Sequence, residues 1–355
     1  MRTVLSNDYL ISDRGGVIEN RHAVHAAIVD STGRLLYSLG DPSRITLARS
    51  AAKPAQAVAI LETGAFDRFD FDDADLALMC ASHSSEERHI ARARNILEKI
   101  GANEGNLQCG GHTSISNAVN RAWIKKDFTP TAVCSNCSGK HAGMIAATIA
   151  LGADVDTYHL PTHPMQVRVK NTVNEICGLD EQGSTWGLDG CNLPAPAFPL
   201  LYLARMYASF AAAASGNHAT TTRSPRTLAQ SRVFKGMSQN SEYVAGEDRF
   251  CTILMRAFQG LLIGKIGADG CYGIGIQESE ETTRLGGNGS IGIAIKIEDG
   301  NIDVLYSAVA EVLEQRQIGN PDMRQEVARF HSPEIRNTVG IVTGRLVPCF
   351  KLREI

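Results

Sequence analysis

Strand-like patterning sits towards the two ends of this chain, and helix-like patterning fills most of the space between. Val24 to Val29, the turn Asp30-Ser31-Thr32-Gly33, and Arg34 to Leu39 read as a β-hairpin with a glycine-containing turn. Tyr272 to Gln277 and Ser290 to Ile297 alternate like paired strands, joined across Gly286-Gly287-Asn288-Gly289. Helix is expected from about Ser50 to Thr63, Ser85 to Ile100, Gly139 to Leu151, His163 to Cys177, Leu200 to Ala214 and Ile302 to Gln315. Asp75 to Cys80 reads as a short strand or a helix end, and Lys265-Ile266-Gly267 as the start of the late strand region. Asp189 to Pro199, with Pro194, Pro196 and Pro199, reads as a rigid loop. Ser215 to Arg226 reads as a mobile polar loop, and Val233 to Met237 and Ile253 to Leu262 bracket a further loop. A hairpin, then helices, then late strands and a last helix imply an α+β fold: a mixed, mainly antiparallel β-sheet flanked by helices, with a helical subdomain inserted. No repeat and no long linker appears, so residues 1–355 are expected to form a single domain.

Composition narrows the function classes. Apolar residues make up 43% and charged residues 21%, as in an ordinary soluble globular protein. A net charge of −3 provides no global field for nucleic acid or an anionic membrane surface. No apolar run approaches the ~20 residues that span a bilayer. Met1 to Asn20 carries Asp8, Asp13, Arg14 and Glu19 and lacks the apolar stretch of a signal peptide. Nine cysteines, odd in number and widely spread, read as reduced thiols of a cytoplasmic protein, some of them candidate metal ligands.

Ser50-Ala51-Ala52-Lys53 is the first candidate for chemistry. At i and i+3 the hydroxyl and the amine share one helix face, so the amine can take the serine proton. A helix start also directs backbone N–H groups outward, where they favour developing negative charge, and Pro54 suits that first turn. Ser82 and Lys265 are a second possibility, although a turn serine and an exposed strand-end lysine are their plain alternatives. In Cys134-Ser135-Asn136-Cys137-Ser138-Gly139-Lys140-His141, the Cys-x-x-Cys is either redox-active or half of a metal site, with Cys191 on its stiff loop a plausible third ligand. Packed core thiols are the structural alternative. Gly139-Lys140 lacks the remainder of a phosphate loop, and the glycines at 286, 287 and 289 join two strands instead of opening a helix, so neither indicates a nucleotide.

Taken together, these segments resemble the Rhizobium etli-type L-asparaginases. The resemblance is carried by Leu47-Ala48-Arg49-Ser50-Ala51-Ala52-Lys53-Pro54, Cys80-Ala81-Ser82-His83-Ser84-Ser85-Glu86, Cys134 to His141, Trp186-Gly187-Leu188-Asp189-Gly190-Cys191-Asn192-Leu193-Pro194, and Gly264-Lys265-Ile266-Gly267. It extends from Asp13-Arg14-Gly15-Gly16 to Phe350-Lys351-Leu352. That family is similar in fold to penicillin-binding proteins, serine β-lactamases and serine glutaminases. The resemblance implies two catalytic pairs, Ser50 with Lys53 and Ser82 with Lys265. It implies a zinc ion held by Cys137, Lys140 and Cys191, with Arg49, His141 and Asp189 orienting the ligands or the substrate. It also implies a homodimer.

The expected reaction is hydrolysis of L-asparagine to L-aspartate and ammonia through an acyl-serine. A lysine acts as base only when uncharged, and burial beside a second ammonium favours that form. The rival expectations are a serine glutaminase or other serine amidase, a zinc-dependent amino-acid sensor, and a thiol oxidoreductase using Cys134 and Cys137.

Overall fold

A computed structural model of the chain describes residues 8–216 and 223–355. It divides into two compact units. The first comprises residues 8–51, 198–215 and 253–355; the second comprises residues 52–197, 216 and 223–252. Among the described residues no helix is long and apolar enough to cross a membrane.

The first unit is built on an antiparallel sheet whose spine is the long strand Val17–Asp30. Its second half pairs on one side with Leu35–Leu39, through Ala26 opposite Leu39, and on the other with Ile291–Ile297, through Ala27 opposite Ala294. The sheet continues through Cys271–Ile276 to Leu262–Gly267, which places Lys265 opposite Gly273 on the terminal strand. The sequence-predicted hairpin and the late strand pair are therefore both present. Two details differ. Lys265 lies within its strand, not at the start of the strand region, and a short helix, Glu280–Arg284, interrupts the connection read as a glycine turn. The strands Tyr9–Arg14, Val342–Pro348, Glu334–Arg336 and Arg353–Glu354 were not anticipated. Each completes its hydrogen bonding with a strand distant in sequence or carries too few residues to show a period.

The helix Leu200–Ala214 packs directly on this sheet, at the bounds its periodicity predicts. Glycines make that approach possible. A Cβ at Gly292 would stand 1.8 Å from the Ala204 carbonyl oxygen, and one at Gly273 would stand 2.0 Å from Cε2 of Tyr207. Gly273 and Gly275 are two apart on one strand, so they empty the same face. The helix Ile302–Gln315 also matches its predicted bounds, with the Asn301 side chain accepting from the amides of Asp303 and Val304, but it is not the last helix: Pro321–Val327 follows it.

The second unit is mainly helical. Its elements include Lys53–Leu61, Asp73–Met79, Glu87–Lys99, Ser138–Ala150, Pro164–Cys177 and Pro225–Gln239. Asp73–Met79 resolves the ambiguous apolar stretch as helix, capped reciprocally by Asp72 and Asp75. Asp75 is fully buried and accepts from Arg92 and Lys99 at 2.8 and 3.2 Å, so its charge is compensated. The alanine-rich helix Ser138–Ala150 lies against Asp73–Met79 because Gly139 and Gly143 carry no Cβ: one at Gly139 would meet the Leu78 carbonyl oxygen at 2.5 Å. The segment read as loop between Met237 and Ile253 is largely helical, as Ser241–Val244 and Phe250–Ala257. Half of the predicted rigid loop is a strand, Pro194–Pro199, with Trp186 opposite Pro196. Of the predicted mobile loop, residues 217–222 lie outside the described residues, and its end begins the helix Pro225–Gln239.

The sheet–helix contact gives a direct test. Gly292→Ala forces a methyl group into the Ala204 backbone, so unfolding free energy should fall by about 1–3 kcal/mol, the usual cost of overpacking. Urea denaturation measures it, and an unchanged midpoint would contradict this packing.

Candidate functional site

The Ser50 turn belongs to the first unit. Arg49–Ala52 forms a 3-10 turn, and the α-helix begins at Lys53, so Ser50 precedes the helix instead of opening it. Arg49 has φ of +50°, a left-handed conformation that costs a residue with a Cβ on the order of 1–3 kcal/mol. Contacts within the unit hold the turn in that shape. The Ala51 amide donates to the Ala48 carbonyl at 3.0 Å, and the buried Tyr207 hydroxyl donates to the Ala51 carbonyl at 2.8 Å. A Cβ at Gly267 would stand 2.4 Å from the Ala48 oxygen, so the Lys265-x-Gly267 strand needs its glycine to pass this turn. Lys265 is fully buried, and its amine donates to the Ile266 carbonyl at 2.7 Å. The Arg49 guanidinium faces Asp269 at 2.5 Å, and Asp269 also has positive φ, +58°.

The remaining predicted residues belong to the second unit, and most of them converge. Lys53, 1% exposed, points its amine at Oγ of Ser82 at 3.2 Å, Sγ of Cys137 at 3.1 Å and the Ala81 carbonyl. Those partners are a hydroxyl, a thiol and a carbonyl, none of them a carboxylate. The Cys137 thiol donates to Oδ1 of Asn136 at 3.0 Å and adjoins Cys191, whose sulfur accepts from Nζ of Lys140 at 3.1 Å. Two cysteines and two lysines therefore form one buried chain that begins at Ser82.

The electrostatics of that chain split its two thiols. The adjoining Cys137 thiol and the charge of Lys140 outweigh burial and bring Cys191 down to about 5. Cys137, beside that sulfur and itself buried, is pushed up to about 12. For Lys140, burial works downward, but Cys191, Cys137 and Asp189 together raise it above its ordinary value. Asp189 closes the turn that carries Cys191: its amide donates to the Leu193 carbonyl, and its carboxylate accepts from the Gly190 amide at 2.7 Å. Two sulfurs and an amine suit a soft-to-borderline ion such as zinc in donor type, provided Lys140, here a cation donating to Cys191, gives up its proton. Among the described residues no group of three or more His, Cys, Asp or Glu side chains is arranged to hold a metal.

Histidines support this arrangement from behind. Nδ1 of His83 accepts from the Ser85 amide at 3.1 Å, so its Nε2–H donates to Ser138 at 2.9 Å, at the start of the helix that carries Lys140. The Tyr158 hydroxyl accepts from the Gln108 amide at 3.0 Å and pairs with Nδ1 of His141 at 2.6 Å. Nε2 of His141 is buried and has no hydrogen-bond partner among the described residues. Burial holds both rings neutral: His83 lies well below its ordinary value, and His141, repelled also by Lys140, is brought down to about 3. The sequence reading did not assign roles to Tyr207, Tyr158 or the His83 ring. No spacing rule could have nominated either tyrosine, because each reaches its partner through tertiary packing.

The L-asparaginase II family profile matches residues 10–348. The chain belongs to that family. No curated protein matches the sequence. Among solved structures, native Mglu is 14% identical with a TM-score of 0.44, covering 84% of this chain and 62% of its own. A probable glutaminase from Bacillus subtilis is 13% identical with a TM-score of 0.37, covering 83% and 89% respectively. This family member thus spans about 62% of the length of Mglu. These likenesses are distant, and the assignment rests on the profile alone.

The neutral histidines make stability depend on pH in a definite sense. Their folded values lie below the unfolded value of 6.5, so the unfolded chain binds the extra protons. Stability is complete above about pH 6.5 and is lost as pH falls through it, by up to about 1.4 kcal/mol per pH unit for each ring. Urea midpoints measured between pH 7.5 and 5 should fall accordingly; a flat profile would show that the rings are not buried neutral.

Proposed function

We propose that this chain is an L-asparagine amidohydrolase that works through an acyl-serine intermediate. The observation that carries the proposal is the buried amine of Lys53, in contact with the Ser82 hydroxyl and, among the described residues, hydrogen-bonded to no carboxylate. Family membership supports amide hydrolysis as the reaction class. The arrangement also supports a serine-β-lactamase-like architecture: Ser-x-x-Lys leads into a helix, and Lys-x-Gly occupies the terminal strand of an antiparallel sheet.

In this reading Ser50 attacks the side-chain amide carbon, and uncharged Lys53, three residues on, takes its proton. The left-handed Arg49 and the Tyr207 hydrogen bond hold the Ser50 turn in place before substrate arrives. The C–N bond of the tetrahedral intermediate breaks, and ammonia leaves with a proton relayed by Ser82 and Lys265. Water then hydrolyses the aspartyl ester, and the serine recovers its proton. The Ala51 amide already donates to Ala48, so oxyanion stabilisation falls to other donors.

Cys137, Lys140 and Cys191 would hold a zinc ion, the role proposed for their converging donors. Zinc would supply a fixed positive charge for orienting substrate, since the chain has its own serine nucleophile. The neutral His141, with its unpartnered Nε2 among the described residues, and Asp189 adjoin these ligands and would fix the polar ends of the amino acid.

Two measurements test these assignments. Ser50→Ala should lower kcat for ammonia release from L-asparagine by at least ~10³-fold, the scale of nucleophile loss. Assaying L-glutamine beside L-asparagine separates the two amides, and a wild type inert on asparagine ends the reading. Purified protein should retain about one zinc per chain by elemental analysis. Cys191→Ser should weaken retention by more than the ~10–100-fold that loss of a supporting partner alone costs. Equal retention by the two proteins would remove Cys191 from the site.

A further inference from the structure

We propose that Arg249, steadied by Ser84, binds the carboxylate of the amino-acid substrate. The inference rests on the amidohydrolase reading and adds a specificity residue that the sequence motifs do not contain.

The backbone of Ser82-His83-Ser84 is held from two sides. The Ser82 and Ser84 amides donate to the carbonyls of Val244 and Ala245 at 3.0 and 2.8 Å, while the amide between them, His83, donates to Asn136 at 3.2 Å. Successive amides thus turn to opposite sides, as in a locally extended chain, although 81–86 forms no strand and the two acceptors on one side are adjacent residues. The Ser82 hydroxyl meets the Lys53 amine, and the Ser84 hydroxyl accepts from Nη1 of Arg249 at 3.3 Å. A proton-transfer group and a guanidinium are thus spaced along one extended segment. That spacing suits a small molecule with an amide at one end and a carboxylate at the other.

The charge of Arg249 is what makes it a candidate. Its neighbours in this unit are already paired with carboxylates: Arg88 with Glu86 and Glu247, Arg92 with Asp72 and Asp75, Arg226 with Glu62 and Glu175, Arg232 with Asp73. In the first unit, Arg49 faces Asp269. Among the described residues the half-buried Arg249 instead faces a hydroxyl, which leaves most of its donor fork available for a bidentate anion. Gly246, at φ of +131°, lets the loop pass so close to the Ser84 segment that a Cβ there would lie 2.5 Å from Oε1 of Glu86, the carboxylate that Arg88 pairs, and 2.7 Å from the Ser84 oxygen. The Glu247 amide donates to Glu86 at 2.9 Å, and the Arg249 amide donates to the Gly246 carbonyl at 3.2 Å.

Steady-state kinetics on L-asparagine and on 3-aminopropanamide, the same amide without its carboxylate, test the proposal in wild type, Arg249→Gln and Arg249→Lys. KM for L-asparagine should rise about 10–100-fold in Arg249→Gln, as expected for one lost charge-assisted pair, with kcat within about threefold. The kcat/KM for 3-aminopropanamide should stay within about threefold, and Arg249→Lys should recover part of the loss on asparagine. An unchanged KM, or an equal loss on both amides, overturns the proposal. Calorimetric titration with L-aspartate separates this result from the fate of the amidohydrolase reading. A wild type that hydrolyses no amide yet binds L-aspartate, with binding lost in Arg249→Gln, defeats that reading and upholds the arginine. Equal L-aspartate binding by wild type and Arg249→Gln defeats the arginine.

Discussion

Lys53 sits at the centre of the second unit with its amine withdrawn from water and aimed at a hydroxyl, a thiol and a carbonyl. A long flexible side chain keeps one position only when its surroundings are fixed, because its rotamer entropy opposes ordering. The helix that starts at Lys53 is buried along nearly its whole length, from Lys53 to Ile60. The Ser82 segment is pinned by backbone hydrogen bonds on both sides, and Cys137 caps a helix seated by two glycines. The amine is therefore the point where three separately stabilised elements meet.

Small residues carry much of this construction. Gly139 and Gly143 bring the helix of Lys140 against Asp73–Met79, and Gly267 lets the Lys265 strand pass the Ser50 turn. Gly273 and Gly292 admit the helix whose Tyr207 holds that turn through Ala51. Each glycine trades chain entropy for close backbone approach, and in each case the approach serves a residue of the proposed site.

The charge arrangement separates roles that look alike in sequence. Cys137 and Cys191 are both buried cysteines, yet the first is pushed up and the second down, because Lys140 donates directly to Cys191 while the Cys137 thiol adjoins it. Arg49 and Arg249 are both arginines near proposed catalytic serines in the chain or in space. Arg49 is neutralised by Asp269, and Arg249 meets only a hydroxyl among the described residues. Buried neutral histidines line the second unit and link its stability to pH.

The amino-acid order by itself determined the local elements and the residue types. Leu200–Ala214 and Ile302–Gln315 follow their 3.6-residue period to the residue, and the hairpin of Val24 to Val29 with Arg34 to Leu39 announces its turn, although its first strand already begins at Val17. The serine, lysine and cysteine motifs were also visible there, since their chemistry depends on short spacings. The strands Tyr9–Arg14 and Val342–Pro348 were not, nor was the helical character of 241–244 and 250–257. Only the tertiary structure could decide which thiol is pushed up and which down, where Ser50 lies relative to its helix, and that Tyr207, Tyr158 and Arg249 have partners at all. Those outcomes depend on contacts between residues many positions apart, and burial and hydrogen bonding there are properties of the packed chain, not of any window of sequence.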